Sequence, residues 1–320
     1  MIPIIDFSGA FSPDGGSRQR VAAELARAAS TVGFFYMAGH GVPAEVVDRQ
    51  FELARRLFAL PEAEKQAMSL RRSKCRRGYE AIGDQTLDLA SLPDQKESYY
   101  CGFDYPPDHP FVVAGYDSYG SSFWPSSIPE FRDHTLAYMT LHRGLCETVM
   151  RTLALGLELN EDYFDATFVD PQITLRLLRY PPHPPAASGK LFGAGAHTDW
   201  GSVTTLAQDG LSGLEVLGPD GEWIAAPPID GTFVVNLGDM IPRWTNGRYK
   251  SNLHRVINRN PHGRDRYSIP FFYAPRCTAW IEPVPTCIAA DRPLAYTACT
   301  AGEHMAEMVR LTYGADYKRG

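Results

Sequence analysis

The sequence has few cysteines, and none lies close to another along the chain. Six occur among 320 residues, and no Cys-x-x-Cys pair is present. A disulfide framework is typical of short secreted chains, whereas scattered cysteines in a chain of this length indicate reduced thiols. We therefore expect a cytoplasmic protein.

Long apolar runs and an excess of basic charge are also missing. No stretch approaches the apolar length that a membrane span needs. Residues Met1–Asp6 lack a charged leader followed by a long apolar run, so we expect no signal peptide. A formal net charge of −6 and a pI near 5.9 argue against a general nucleic-acid or membrane-surface binder. We expect neither as a partner.

The composition that is present suits a large globular core. Hydrophobic residues make up 44% and charged residues 21% of the chain, which is ordinary for a globular domain. Short β-rich runs separated by turns follow Pro171, whereas helical spacing of apolar residues predominates before it. Many short strands at even spacing predict a closed or double-sheet antiparallel jelly roll. We expect a mainly β fold with α, in which helices wrap this core.

Individual elements follow from the spacing of apolar residues and from turn signals. We predict helices at residues 18–31, 43–58, 61–70, 131–159 and 302–313. We predict strands at residues 2–7, 32–37, 173–180, 203–206, 213–217, 223–226, 232–237, 249–258 and 267–273. Residues 71–130 predict mostly irregular structure, and such a long segment often serves a site. The final helix is expected to pack outside the barrel.

One short stretch, Gly195–Ser202, carries a pair of residues suited to metal binding. His197 and Asp199 are two positions apart, so on a β-strand their side chains leave from the same face. Two histidines and one carboxylate with open positions is the arrangement of non-haem Fe(II) oxygenases. The alternative interpretation of the pair alone is an ordinary hydrogen-bonded strand.

A third ligand has to come from elsewhere in the chain, and His254 is the best candidate. It lies in a predicted strand, Lys250–Ile257, well separated from the first pair. The remaining histidines lie in loops or helical stretches with no partner at strand spacing, so we expect surface or packing roles for His40, His109, His134, His142, His183, His262 and His304.

With these residues in place, the chain resembles a known family. The order His197-x-Asp199, His254 and then Arg266-Tyr267-Ser268 is similar to that of the Fe(II)/2-oxoglutarate dioxygenases of the isopenicillin N synthase-like group. The resemblance extends to residues 32–43, 58–65, 236–239, 246–251 and 266–272. It implies a double-stranded β-helix, bound Fe(II), molecular oxygen and usually 2-oxoglutarate as co-substrate.

The resemblance also implies a role for each residue. His197, Asp199 and His254 would be the iron ligands, and Arg266, Ser268 and Tyr180 would bind 2-oxoglutarate. Arg266 can make a forked, charge-assisted contact with the remote carboxylate, and Ser268 can add one hydrogen bond. The reaction would hydroxylate, desaturate or cyclise a small molecule such as an amino acid, a peptide or a natural-product intermediate, with release of succinate and CO2.

Leu178 departs from the pattern of the family. Many plant members have an asparagine two residues before the tyrosine that corresponds to Tyr180, and this asparagine helps to hold 2-oxoglutarate. Leucine cannot make that contact, so an isopenicillin N synthase-type Fe(II) oxidase that does not use 2-oxoglutarate is the main alternative. A zinc hydrolase and a catalytically silent jelly-roll binding protein are two further alternatives.

Substrate contacts and domain boundaries complete the predictions. We expect the substrate to lie against residues 71–105, with Arg77, Trp200 and Phe272 as contacts. We divide the chain into an N-terminal helix and strand region at 1–120 and a jelly-roll core at 171–285. Residues 121–170 and 286–320 would form a helical framework, and all parts would make one integrated structural unit.

Overall fold

The computed structural model describes residues 1–88, 90–182, 192–257, 263–289 and 293–313. Seven helices lie in these ranges: α1 Gly15–Thr31, α2 Ala44–Phe58, α3 Glu62–Ala67, α4 Pro110–Val113, α5 Phe131–Gly156, α6 Met240–Trp244 and α7 Ala301–Tyr313. The carboxylate of Asp14 caps α1 by accepting hydrogen bonds from the backbone N–H groups of Gly16 and Ser17. None of the described helices has the length and apolar character needed to cross a membrane.

The first half of the chain contributes four of the strands: β1 Ile4–Asp6, β2 Phe34–Ala38, β3 Gly78–Glu80 and β4 Glu97–Cys101. The second half contributes ten: β5 Gln172–Tyr180, β6 Ala194–His197, β7 Val203–Gln208, β8 Leu214–Leu217, β9 Trp223–Ala225, β10 Phe233–Leu237, β11 His254–Val256, β12 Arg266–Ala274, β13 Trp280–Ile281 and β14 Cys299–Thr300.

Most of the strands form two sheets. The main sheet has eight strands in the order β1-β2-β10-β7-β12-β5-β4-β3, and the smaller sheet has four in the order β6-β11-β8-β9. All pairings are antiparallel except that of β1 with β2. β13 and β14 pair separately.

Strand β5 shows why the main sheet is covered on both faces. Ile173, Leu175 and Leu177 belong to a large apolar cluster shared with α1, α2 and α5. Leu178 and Tyr180 belong to a second cluster, shared with residues of the smaller sheet. Alternate side chains of a strand leave from opposite faces, so one face packs on helices and the other lines the space between the sheets. This arrangement confirms the predicted jelly-roll class.

The N-terminal part of the chain takes a larger share in the main sheet than we expected. β4 pairs with β5 and β3 pairs with β4, although residues 71–130 predicted mostly irregular structure. All five residues of β4 are buried, so β4 lacks the alternation of polar and apolar residues by which a half-exposed strand is recognised. The long helix and the C-terminal helix lie where the spacing predicted them.

Candidate metal centre and adjoining cavities

The two histidines of the predicted site face each other across a strand pair. β11 runs antiparallel to β6, and the Cα atom of His254 lies opposite that of His197. Their ring centroids are 4.3 Å apart. Asp199 comes just after the end of β6, and one ligand atom from each of the three residues lies within 4.8 Å of the others.

Hydrogen bonds to the backbone orient both imidazoles. Nδ1 of His197 lies 2.7 Å from the carbonyl oxygen of Gly195, and Nδ1 of His254 lies 3.3 Å from that of Asn252. A carbonyl only accepts, so each Nδ1 carries the proton and each Nε2 keeps its lone pair for a metal. Burial, reinforced by the neighbouring His254, lowers the pKa of His197 to about 3, so the ring is neutral, as metal binding requires.

The carboxylate of Asp199 is held by one of its two oxygens. Oδ2 accepts hydrogen bonds from the hydroxyl of Thr204 at 2.6 Å and from the side-chain amide of Asn236 at 2.7 Å. Burial alone would raise the pKa of Asp199, but the two imidazoles and these hydrogen bonds outweigh it, so the pKa lies below its usual value. Oδ1 lies 3.6 Å from Nε2 of His254 and is left for a metal.

An inner cavity extends from the triad to Arg266, and its wall includes Tyr180 and Ser268. The guanidinium of Arg266 is fully buried. Its Nε donates to the carbonyl oxygen of Leu211 at 3.1 Å, and Nη2 donates to the side chain of Gln208 at 2.9 Å. Nη1 has no hydrogen-bond acceptor in the described part of the chain. A buried donor of this kind calls for an acceptor, and an anionic ligand in this cavity would provide one.

A second cavity, here called the outer cavity, adjoins His197 and Asp199 of the triad. His197, Asp199 and Phe272 belong to the walls of both cavities. The outer wall also contains Trp200, for which we predicted a substrate contact, and four residues of the predicted segment 71–105, namely Arg76, Gln85, Leu87 and Tyr100. Three further wall residues were not predicted: Arg176, Met305 and Val309. The last two belong to α7, so the C-terminal helix lines this cavity as well as packing outside the sheets.

Arg77 does not take the place that we predicted for it. Its side chain is fully buried and belongs to the wall of neither cavity. Nη2 donates to the carbonyl oxygens of Ser118 and Ile173, and the guanidinium lies over Gly102, where a Cβ atom would be 1.4 Å from Nη1. Arg77 therefore ties a loop to β5, whereas its neighbour Arg76 lies in the wall of the outer cavity.

Two of the other histidines, His142 and His304, are buried and have packing roles. His142 is buried, and its Nδ1 lies 2.7 Å from the hydroxyl of Thr205. Nε2 of His304 lies 3.0 Å from the carbonyl oxygen of Trp200, which places α7 beside the triad. His183 and His262 lie outside the described residues.

Several residues beside the triad were not predicted from the sequence. Thr204 and Asn236 hold Asp199 from β7 and β10, and two cations, Lys96 and Arg176, line the inner cavity. Alternation along β5 could have revealed Arg176, because positions 176, 178 and 180 share one face. No local pattern points to the others, since Lys96, Thr204 and Asn236 reach the site from separate parts of the chain.

The donor set fits one class of metal site. Two imidazole nitrogens and one carboxylate oxygen lie within 4.8 Å of one another, and three protein ligands would leave the other positions of an octahedral metal for exogenous ligands. This is the facial arrangement of mononuclear non-haem iron oxygenases. The buried arginine donor in the adjoining cavity fits a dicarboxylate co-substrate. Fold and site together therefore define a jelly-roll protein with a two-histidine, one-carboxylate centre.

Comparisons with known proteins agree with this class. Residues 171–275 match the 2OG-Fe(II) oxygenase superfamily, and residues 2–127 match the family described as non-haem dioxygenase in morphine synthesis N-terminal. A 2-oxoglutarate-Fe(II) type oxidoreductase of Emericella nidulans is 38% identical over 322 residues, which cover 99% of this chain and 90% of that protein.

Solved structures of similar fold contain the expected ligands. A full-length Neurospora crassa protein, solved in complex with alpha-KG and thymine, has a TM-score of 0.87 and 30% identity, covering 97% of this chain and 96% of that one. JOX2 in complex with 2OG, Fe and JA has a TM-score of 0.78 and 28% identity, covering 96% of this chain and 84% of that one.

The chain belongs to the 2OG-Fe(II) oxygenase superfamily and is a 2-oxoglutarate-dependent Fe(II) dioxygenase. Fe(II), 2-oxoglutarate and O2 are its cofactor and co-substrates. The predicted enzyme class is confirmed, and the alternative of an oxidase that does not use 2-oxoglutarate is not favoured by these relatives.

Proposed function

We propose that His197, Asp199 and His254 bind Fe(II), and that Arg266, Ser268 and Tyr180 bind the remote carboxylate of 2-oxoglutarate. One observation carries this proposal. The inner cavity has the triad in its wall at one end and the unsatisfied Nη1 donor of Arg266 at the other. Tyr180 supports the arginine, since its ring lies 5.2 Å from the guanidinium carbon.

The iron centre, with 2-oxoglutarate and O2, supplies the oxidising power that converts the co-substrate to succinate and CO2 and oxidises the substrate. The chain's own residues supply geometry. Thr204 and Asn236 fix the carboxylate of Asp199, and the carbonyl oxygens of Gly195 and Asn252 fix the two imidazoles. Buried apolar residues around the inner cavity, such as Phe34 and Leu214, exclude water from it.

The substrate is proposed to be a small organic molecule that binds in the outer cavity and is hydroxylated there. Trp200 and Phe272 offer aromatic surface next to the triad, and Gln85 and Arg176 offer polar contacts. The comparisons support a compact ligand, since the Neurospora crassa protein holds thymine and JOX2 holds JA in solved complexes. Desaturation and cyclisation are outcomes of the same site with other substrates.

Three further predictions, on the group within the superfamily, the cellular location and the domain organisation, remain proposals. We propose that the chain belongs to the isopenicillin N synthase-like group within its superfamily, in line with the motifs from residue 32 to residue 272. We propose a cytoplasmic location, which the six free cysteines support. We also propose that residues 1–120, 171–285 and the helical framework act as one unit, because β1–β4 extend the main sheet.

Two measurements test the proposed function. Calorimetry on Mn(II)-loaded enzyme is expected to show 2-oxoglutarate binding that Arg266→Met weakens strongly. With Fe(II) and O2, a panel of small aromatic and heterocyclic compounds is expected to contain one that yields product and succinate in equal amounts. Absence of 2-oxoglutarate binding to the Mn(II)-loaded wild-type enzyme would overturn the proposal.

A further inference from the structure

Gly195 contacts both the triad and a segment from the first half of the chain. Its carbonyl oxygen accepts the hydrogen bond from Nδ1 of His197 at 2.7 Å. Its backbone N–H donates to Oδ1 of Asp94 at 2.9 Å. Asp94 is only 1% exposed, so this second hydrogen bond is shielded from water. One residue therefore joins a proposed iron ligand to a buried carboxylate.

An irregularity in the strand pairing explains why Gly195 needs such a partner. β6 is an edge strand of the smaller sheet, with β11 as its one neighbour in the described part of the chain. From Ala194 to His197, β6 advances three residues where β11 advances two. Such a bulge leaves its extra residue outside the ladder of backbone hydrogen bonds, and a buried N–H without a partner is costly. The buried carboxylate supplies the acceptor that β11 does not.

The Cα atom of Gly195 packs closely against Asp88. A Cβ atom at position 195 would lie 2.7 Å from Cβ and 2.9 Å from the backbone nitrogen of Asp88. Asp88 is held in a turn, because its Oδ1 accepts from the backbone N–H of Ala90 at 2.9 Å and its carbonyl oxygen accepts from that of Ser91 at 2.9 Å. Glycine, which has no Cβ, lets the two segments approach this closely.

Asp94 is itself held in place by its own contacts. Its Oδ2 accepts from Nζ of Lys96, and its backbone N–H donates to the carbonyl oxygen of Gln85 at 2.9 Å. The backbone N–H of Gln95 donates to the carbonyl oxygen of Phe192 at 2.9 Å, just before β6. The segment therefore runs along the edge of β6 that faces away from β11, and covers it as loops commonly cover sheet edges.

We propose that Asp94 is a positioning residue of the metal centre, which holds the bulge at Gly195 and thereby sets the orientation of the His197 imidazole. The inference rests on the proposed function, because it takes His197 as an iron ligand. Asp94 acts through the backbone: its carboxylate fixes the N–H side of Gly195, and the carbonyl side of the same residue accepts from the imidazole. Groups that orient metal ligands in this way strongly affect metal affinity.

The test separates the hydrogen bond of Asp94 from its charge. Asp94→Asn keeps a side-chain oxygen for the N–H of Gly195, whereas Asp94→Leu has a similar size and no acceptor. Both are combined with Lys96→Met, so that neither leaves a buried ammonium without its carboxylate. We expect the Asp94→Leu form to bind Mn(II) about 10- to 100-fold more weakly than the Asp94→Asn form. Equal Mn(II) affinities of the two forms, measured by calorimetry, would overturn the inference.

A spectroscopic measurement distinguishes a misplaced ligand from a general loss of stability. The visible absorption spectrum of Co(II)-loaded enzyme reports the geometry of the metal ligands. We expect this spectrum to be altered in the Asp94→Leu form and retained in the Asp94→Asn form. Denaturant titration of the metal-free proteins gives their free energies of unfolding. A lower free energy of unfolding with an unchanged spectrum and Mn(II) affinity would show a purely structural Asp94 and would overturn the inference.

Gly195→Ala is a second variant, in which the carboxylate of Asp94 stays intact. Its Cβ would collide with Asp88, so β6 has to shift, and we expect roughly tenfold weaker Mn(II) binding with an altered Co(II) spectrum. Gly144→Ala on α5 is the matched control, because its Cβ would meet no atom within 4 Å outside the backbone of its own helix. Wild-type Mn(II) affinity in Gly195→Ala would count against the inference. Wild-type Mn(II) affinity in His254→Ala would instead overturn the proposed function, which is a distinct result.

Discussion

Leu178 lies opposite Ser268 in the antiparallel pairing of β5 with β12. Two pairs further along, Tyr180 lies opposite Arg266. The proposed 2-oxoglutarate ligands are therefore neighbours in one ladder, and Leu178 is the apolar member among them. Its presence removes a polar contact from one wall of the inner cavity without disturbing the pair that binds the remote carboxylate.

Replacement of an iron ligand is expected to abolish metal binding. Asp199→Ala or His254→Ala removes one of three donors, and the remaining two cannot hold the ion in the facial arrangement. Metal content after anaerobic loading with Fe(II) checks this, together with succinate formation. His134→Ala is the control, since Nε2 of His134 lies near the carbonyl oxygen of Val46, outside the site. Full iron loading of Asp199→Ala would contradict the assignment.

The hydrogen bonds to Asp199 are expected to tune metal affinity. Thr204→Val keeps the shape of the side chain but removes the hydroxyl that donates to Oδ2. Loss of such a supporting contact typically lowers metal affinity about 10- to 100-fold. Titration with Mn(II) measures the effect. Thr148→Val, at a half-buried position of α5, removes a hydroxyl that donates to the carbonyl oxygen of Gly144, and it is expected to leave the Mn(II) affinity unchanged.

Arg266→Met is expected to weaken 2-oxoglutarate binding without loss of the metal. A charge-assisted hydrogen bond contributes about 1.5–3 kcal/mol, which corresponds to a rise in Kd of roughly ten- to a hundredfold. Calorimetry on Mn(II)-loaded protein measures the change. Arg151→Met serves as the control because Arg151 pairs with Asp165 on the surface. An unchanged Kd for Arg266→Met would place the co-substrate elsewhere.

Arg77→Ala is expected to affect stability and not ligand binding. The change leaves the carbonyl oxygens of Ser118 and Ile173 without their buried donor and opens a cavity over Gly102. We expect a loss of roughly 2 kcal/mol or more in the free energy of unfolding, measured by denaturant titration. Arg71→Ala, at a side chain that is 79% exposed, should change it by less than about 0.5 kcal/mol. A selective loss of substrate affinity would restore our original assignment of Arg77.

The affinity for 2-oxoglutarate is expected to fall as the pH rises above about 8. The pKa of Lys96 in the free enzyme is lowered to about 8 by burial, with Asp94 and Glu80 opposing and Arg176 reinforcing the shift. Lys96 lies in the wall of the inner cavity, so a dianion bound there favours the charged ammonium and raises this pKa. The contribution is complete below the free-state pKa and is lost as the pH passes the bound-state pKa. Calorimetry at a series of pH values measures it, and Lys96→Gln is expected to flatten the dependence.

The sequence was most informative where the chemistry is local. His197 and Asp199, like Arg266 and Ser268, are two residues apart. The period of a strand puts Arg266 and Ser268 of β12 on one face, whereas Asp199 follows the end of β6, so the strand period alone does not place it beside His197. The even spacing of short strands likewise predicted the jelly roll, because alternation and turn residues record which face of each strand is buried. The ligand set, the cofactor class and the fold class all depend on such short-range patterns and on their order along the chain.

The tertiary structure decided what depends on strand register and burial. Pairing of β4 with β5 sets Ser98 opposite Leu178, and pairing of β6 with β11 sets His254 opposite His197. Arg77 is buried under a loop, whereas its neighbour Arg76 reaches the outer cavity. The sequence does not show which of these two adjacent arginines faces the cavity. These contacts join residues far apart in the chain, and only packing of the apolar faces and satisfaction of backbone hydrogen bonds fix which strands meet and in which register.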